Sequence, residues 1–182
     1  NSPGVPADLA KHTITLQYND IDEVTRCFAE IGDQIACIIV EPVAGNMNCI
    51  LPVEGFLETL RKVCDESGAV LIFDEVSSGF RVTTGGMHLL YDVTPDMMIL
   101  GKALGNGYAI TSVVGKKSVM QFAQDSFISS TFWSERIGFA AGLATLEEME
   151  KIKSWEVITQ KGKEIKRLSK WAVPFYTGKI GM

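Results

Sequence analysis

Apolar and polar positions alternate with two different periods along this chain, and the changes of period mark its elements. Ile21, Val24, Phe28 and Ile31 recur at helical intervals behind Asn19-Asp20, and Glu23 stands three residues after Asp20 in capping-box spacing. Gly32 supplies a helix stop. A second apolar face, Phe56, Leu57, Leu60, Val63 and Cys64, ends at Gly68. Between and after these helices lie three short runs that are apolar throughout: Ala36 to Val40, Val70 to Phe73 and Met97 to Leu100. Their length and flanking turn-formers suit strands of a parallel sheet buried on both faces. Thr13 to Leu16 alternates like a short additional strand. Ile110 to Val114 reads as a last strand, and its link from Leu100 is too short for a parallel crossover, so it is expected to run antiparallel. Met87 to Tyr91 is expected as a short helix or turn. The small residues Gly138, Ala140, Ala141, Gly142 and Ala144 mark a closely packed helix. Ile158, Ile165, Leu168 and Ala172 mark an amphipathic one with a lysine-bearing outer face. The pattern as a whole is α/β, with helices on both faces of a mostly parallel sheet.

Composition narrows the function without choosing it. The chain has 182 residues, 46% hydrophobic and 21% charged, with a net charge of −5. These are ordinary values for a globular domain, and the interspersed charges offer no nucleic-acid surface. No apolar run approaches the length that crosses a bilayer. Cys27, Cys37, Cys49 and Cys64 form neither a C-x-x-C pair nor a disulfide scaffold, which points to reduced, packed thiols in the cytoplasm. His12 has no partner at ligand spacing and is assigned no role.

Chemistry concentrates where two of the apolar runs end. Asp74 closes the run Val70 to Phe73, and Lys102 follows the run Met97 to Leu100 and Gly101. In open parallel sheets ligands bind beyond the carboxyl ends of the strands, so both side chains belong to one crevice. An acid and an amine in a cleft also fit a structural ion pair. The surrounding residues favour chemistry over that alternative. Phe73-Asp74-Glu75-Val76 is followed by Gly79-Phe80-Arg81, and Leu100-Gly101-Lys102-Ala103-Leu104-Gly105-Asn106-Gly107 places the lysine 28 residues after the acid.

These two motifs at this spacing resemble the class III, fold type I, pyridoxal-phosphate-dependent aminotransferases, and within them most of all glutamate-1-semialdehyde 2,1-aminomutase. The resemblance implies pyridoxal 5′-phosphate as cofactor, Lys102 as the residue that forms the Schiff base, and Asp74 as the acid that salt-bridges the pyridine nitrogen. The residue types suit those tasks: an amine condenses with an aldehyde, and an acid keeps the ring nitrogen protonated so that the ring accepts electrons. The resemblance further implies that Val76 packs on the ring, that Asn46 reaches the ring hydroxyl, and that Glu41 belongs to the shell holding the loop Glu41 to Cys49. On residue type alone Val76 serves equally as core packing, and an isolated Glu-Pro is most often a turn with a solvated glutamate. Thr131 corresponds to a family Thr that binds the cofactor phosphate of the neighbouring subunit, a role suited to a hydroxyl and amides before a helix. Arg81 could be a surface cation or could grip a substrate carboxylate or cofactor phosphate, and a structural or subunit-contact role is favoured for it.

Family members are more than twice as long. The resemblance therefore implies that residues 1 to 172 form part of a cofactor-binding large domain and that 173 to 182 begin a link to a small domain. The glycine-rich phosphate cup and the ring-stacking aromatic would precede this stretch. The implied assembly is a homodimer acting on small amino and oxo compounds. Within the family, 2,1-aminomutation of glutamate 1-semialdehyde comes first, on Ser2 to Asp8 and Glu41 to Cys49. Transfer of an amino group between an amine or amino acid and an oxo acid comes second, on Ala103 to Gly107 and on Phe132-Trp133-Ser134-Glu135-Arg136, where aminomutases usually carry a Ser-Gly-Asn-Pro type sequence. A fragment that folds without catalysing is the reading from a different class.

Overall fold

A computed structural model describes residues 3–130 and 133–168. Its centre is a four-stranded sheet in the order β1-β2-β3-β4: β1 (Cys37–Val40), β2 (Val70–Asp74), β3 (Met97–Leu100) and β4 (Ser112–Gly115). The first three strands are mutually parallel, with Val40 beside Phe73 and Asp74 beside Ile99. β4 runs antiparallel to β3, Leu100 facing Ser112, as the short link requires. Among the described residues seven α-helices accompany the sheet: α1 (Ala7–Ala10), α2 (Ile21–Ile31), α3 (Phe56–Ser67), α4 (His88–Tyr91), α5 (Lys117–Met120), α6 (Arg136–Ile152) and α7 (Ser154–Leu168). Among the described residues no helix is long and apolar enough to cross a membrane.

α3 forms because its apolar positions fall on one stripe, and it ends where Gly68 turns left-handed (φ 79°) and donates its N–H to the Cys64 carbonyl at 2.9 Å. The stripe lies on the sheet beside Ile38, Val40, Leu71 and Phe73, and α2 adds Val24 and Phe28 to the same core. Leu71 and Phe73 have no exposed surface, and burying each stabilises the fold by roughly 2 kcal/mol.

Several sequence expectations change. The two-sided burial expected of the strands holds on the α3 face only: Ile39 is 59% and Val113 49% exposed, and by register they share the opposite face with Ile72, Met97, Ile99 and Asp74. Thr13 to Leu16 pairs with no strand. Asp20 does cap α2, accepting the Glu23 N–H at 2.7 Å, but the Glu23 carboxylate reaches back to the Gln17 N–H at 2.6 Å instead of to Asp20. Gly32 does not end the helix by turning left-handed; at φ −55° it continues into a 3-10 turn over Gly32–Gln34. All four cysteines are free, yet Cys37 and Cys49 are exposed and only Cys64 is buried, where burial pushes its thiol up to about 11. Residues 169 to 182, and with them the expected domain boundary after 172, lie outside the described residues.

The sheet is tied across its amino end by Asp96. One oxygen accepts the Leu71 N–H (2.8 Å) and Arg61 Nη1 (2.9 Å), and the other accepts Lys116 Nζ (2.8 Å). Burial by itself would raise this carboxyl. The bonds from Lys116, the Leu71 amide and Arg61 outweigh it and hold the group below the usual aspartate range. Replacing Asp96 by Ala removes the shared acceptor of Arg61, Lys116 and the Leu71 N–H, leaves Arg61 with its Asp65 ion pair, and is expected to cost about 3 kcal/mol in denaturant unfolding. Because the folded value is depressed, the stabilisation is present above the unfolded-chain value near pH 4 and lost below it. The wild type and Asp96→Asn should therefore converge in stability as the pH falls below about 4.

Candidate active site

The carboxyl ends of β1, β2 and β3 carry Glu41, Asp74 and Lys102 into neighbouring loops. Asp74 is the last residue of β2, and its Oδ1 accepts the Val76 N–H at 3.1 Å, an Asx turn that bends the chain off the sheet. Val76 then lies against Gly101: a Cβ on that glycine would stand 3.5 Å from Val76 Cγ1 and 3.3 Å from Thr111 Cγ2. Lys102 follows with φ 42°, a left-handed value that costs a non-glycine residue about 1 kcal/mol or more. Its Nζ donates to Ser77 Oγ at 2.6 Å. Acid and amine thus stand at the ends of two adjacent strands, with the branched apolar residue against the glycine that precedes the lysine.

The loop after β1 is a closed unit. Ala44 and Ile50 exchange backbone bonds of 3.0 and 3.3 Å, and Asn48 and Cys49 turn the chain with φ 70° and 57°. Inside it Glu41 holds Asn46 twice, accepting its side-chain amide at 2.9 Å and its backbone N–H at 3.3 Å. With its amide nitrogen given to Glu41, Asn46 keeps Oδ1 as its remaining side-chain acceptor. Below the loop Pro42 is fully buried, and its carbonyl accepts the Tyr18 hydroxyl at 2.9 Å. Burial first, then the neighbouring Tyr91 and Glu41, push the Tyr18 phenol well above its usual range. Tyr18 also meets the Phe56 ring edge to face, with centroids 4.9 Å apart, so the loop rests on the helical core.

Sequence reasoning missed Glu75 and Ser77. Glu75 has no exposed surface; its oxygens accept the Met87 N–H (2.6 Å) and the Ser78 hydroxyl (2.8 Å), with the His88 amide as a further donor. These bonds pin the loop Gly79 to Met87 against the end of β2. Burial raises the Glu75 carboxyl, and the three donors only partly offset it. An acidic residue next to an apolar run was the available signal. What marks Glu75, its complete burial, comes from a loop that folds back over it. Arg81 donates Nε to the Ser77 carbonyl at 2.5 Å, a local structural contact. Lys102 also lies on the wall of a cleft of about 690 Å³ between Phe80–Arg81, the loop 102–109 and helices α6 and α7; Asp74, Val76 and Asn46 do not line it. Thr131 lies outside the described residues.

The family model for class-III aminotransferases matches residues 2–172, and the chain belongs to that family. Solved structures agree. The FumI protein from Sphingopyxis sp. MTA144 superposes with a TM-score of 0.82 at 27% identity, over 92% of this chain and 41% of its own. A β-phenylalanine aminotransferase from Variovorax paradoxus gives 0.79 at 28%, over 88% and 38%. Acetylornithine aminotransferase from Elizabethkingia anophelis gives 0.72 at 31%, over 78% and 36%. The sheet is therefore that of the fold type I transaminases, and the chain spans well under half the length of these neighbours.

Gly86 makes the Glu75 clamp testable. A Cβ there would collide with Glu75 Oε1, so Gly86→Ala should cost about 2 kcal/mol in thermal or denaturant unfolding by forcing the carboxylate from its donors. The pH dependence of Glu75 has the opposite sign to that of Asp96. Its folded value is raised, so its contribution is full below the unfolded value near pH 4 and declines as pH rises through the folded one. The stability of wild type relative to Glu75→Gln should fall over that interval.

Proposed function

We propose that the polypeptide carrying this chain is a pyridoxal 5′-phosphate-dependent enzyme that moves amino groups. The observation that carries the reading is the placement of Asp74 and Lys102 at the ends of two adjacent parallel strands in a class-III aminotransferase sheet. The residues present fit that cofactor. Lys102 offers an amine held at a strand end, Asp74 an acid on the same side as the open sheet face, and Val76 an apolar surface beside Gly101. Asn46 offers a side-chain oxygen on a loop fixed by Glu41. When bound, pyridoxal phosphate supplies an aldehyde and a ring that takes up electrons as a substrate C–H bond breaks.

The protein residues do the rest. Lys102 would hold the cofactor through its amine and would be the base placed to move a proton at the substrate carbon. Asp74 holds a proton on the ring nitrogen. Val76 packs against the ring and excludes water from one face. Asn46 orients the ring hydroxyl, with Glu41 keeping its amide in place. Thr131 binds phosphate across a homodimer interface, and the enzyme acts in the cytoplasm on small amino and oxo compounds.

Two reactions use this machinery. Transfer of an amino group from an amine or amino acid to an oxo acid is supported by the transaminases among the structural neighbours, one of them a β-phenylalanine aminotransferase. Aminomutation of glutamate 1-semialdehyde to 5-aminolevulinate is supported by Ser2 to Asp8 and Glu41 to Cys49. The full-length enzyme decides between them when supplied with each substrate. An aminomutase converts the semialdehyde with no oxo acid added. A transaminase leaves it unchanged and exchanges amino groups between an amine and pyruvate or 2-oxoglutarate.

The residue assignments have their own tests. Borohydride reduction and peptide mapping should place the pyridoxyl group on Lys102, and finding it on Lys116 or Lys117 would overturn the site. Asp74→Asn should retain cofactor while turnover drops roughly a hundred- to a thousandfold, the order seen when a preorganised charge is removed.

A further inference from the structure

We propose that Ser77 is the positioning residue for Lys102: its hydroxyl accepts a hydrogen from the amine and fixes where Nζ stands before the cofactor arrives. The proposal rests on the reading of Lys102 as the cofactor-binding lysine. The bond is short, 2.6 Å from Nζ to Oγ, and it joins loops from two different strands. A lysine side chain has four rotatable carbons and large rotamer freedom, so without a partner Nζ would sample a wide arc. The backbone beneath it is already fixed. Gly101 is packed between Val76 and Thr111, and Lys102 itself is held at a left-handed φ of 42°. The freedom that remains lies in the side chain, where Ser77 acts.

Ser77 is itself anchored on every side. Its carbonyl accepts Arg81 Nε at 2.5 Å. On one side the Val76 N–H is bound by Asp74, and on the other the Ser78 hydroxyl is bound by Glu75. Its Cβ lies 3.6 Å from where a Cβ on Gly45 would stand, and that same point is 3.8 Å from Glu41 Oε1. Ser77 therefore stands between the lysine and the loop that carries Asn46. In its unprotonated form the Lys102 amine would attack the cofactor's aldehyde carbon: a C=N bond replaces the C=O bond, and the oxygen leaves as water with the two amine hydrogens. A fixed Nζ makes that attack faster without adding a contact to the cofactor.

The test uses full-length protein freed of cofactor, comparing wild type with Ser77→Ala, Ser77→Thr and Ser77→Cys. On adding pyridoxal 5′-phosphate, the absorbance change of covalent attachment should slow roughly tenfold or more in Ser77→Ala and stay near wild type in Ser77→Thr, which keeps the hydroxyl. Affinity for pyridoxamine 5′-phosphate, which has no aldehyde, should be the same in all. Ser77→Cys, close in size with a weak acceptor, should repeat the loss if the alanine variant does not fold. In cofactor-free protein labelled at lysine Cε, the two Lys102 Hε resonances should be distinct in wild type and merge in Ser77→Ala. Attachment at the wild-type rate, an equal loss of pyridoxamine phosphate affinity, or merged resonances in wild type would each overturn the proposal. Mapping of the cofactor to another lysine would instead overturn the functional reading, and the resonance comparison would still judge the Ser77–Lys102 bond.

Discussion

A carboxylate with no exposed surface is costly in a folded chain, and Glu75 is tolerated because two amides and a hydroxyl converge on it. The segment on either side inherits its rigidity. Asp74 turns the chain off β2, Ser78 is bound back to Glu75, and the loop ending at Met87 is drawn over the strand end. Ser77 lies between these fixed points, which is why a serine on a loop can hold the end of a long lysine side chain. The polar groups of the site are thus positioned by a buried polar network and not by the hydrophobic core directly beneath them.

The core supplies the second constraint. α2 and α3 close one face of the sheet around Leu71 and Phe73, and Asp96 ties its amino end to Arg61 and Lys116. The carboxyl ends are left to the loops. Asp74 shares its face with Ile39 and Val113, the less covered side, so the acid is not sealed by the same packing that stabilises the strand carrying it. Stability and chemistry are separated along the strands. The chain superposes on solved structures with which it shares 27% to 31% identity.

The two buried acids show how environment and residue type divide the work. Asp96 and Glu75 are both withdrawn from water, yet one carboxyl is lowered and the other raised. Asp96 faces a lysine and an arginine, whose charges overcome desolvation. Glu75 faces only neutral donors and the like charge of Asp74. The contribution of Asp96 is therefore lost as the pH falls, and that of Glu75 is lost as the pH rises.

The helical period of apolar residues was enough to place α2 and α3, because one-sided burial of a helix leaves a periodic trace, and three short runs apolar throughout placed β1, β2 and β3. The short link after Leu100 fixed the direction of β4 for a purely geometric reason. The acid and the lysine were also legible, since strand ends in parallel sheets and the motifs around them are local in sequence. Other features were not local. The exposed face of the sheet, the unpaired stretch Thr13 to Leu16 and the redirected Glu23 carboxylate depend on which partners the rest of the chain offers. Glu75 and Ser77 carry no distinguishing pattern of their own. Their roles arise from contacts 12 and 25 residues away, and only the tertiary fold brings those partners within hydrogen-bond distance.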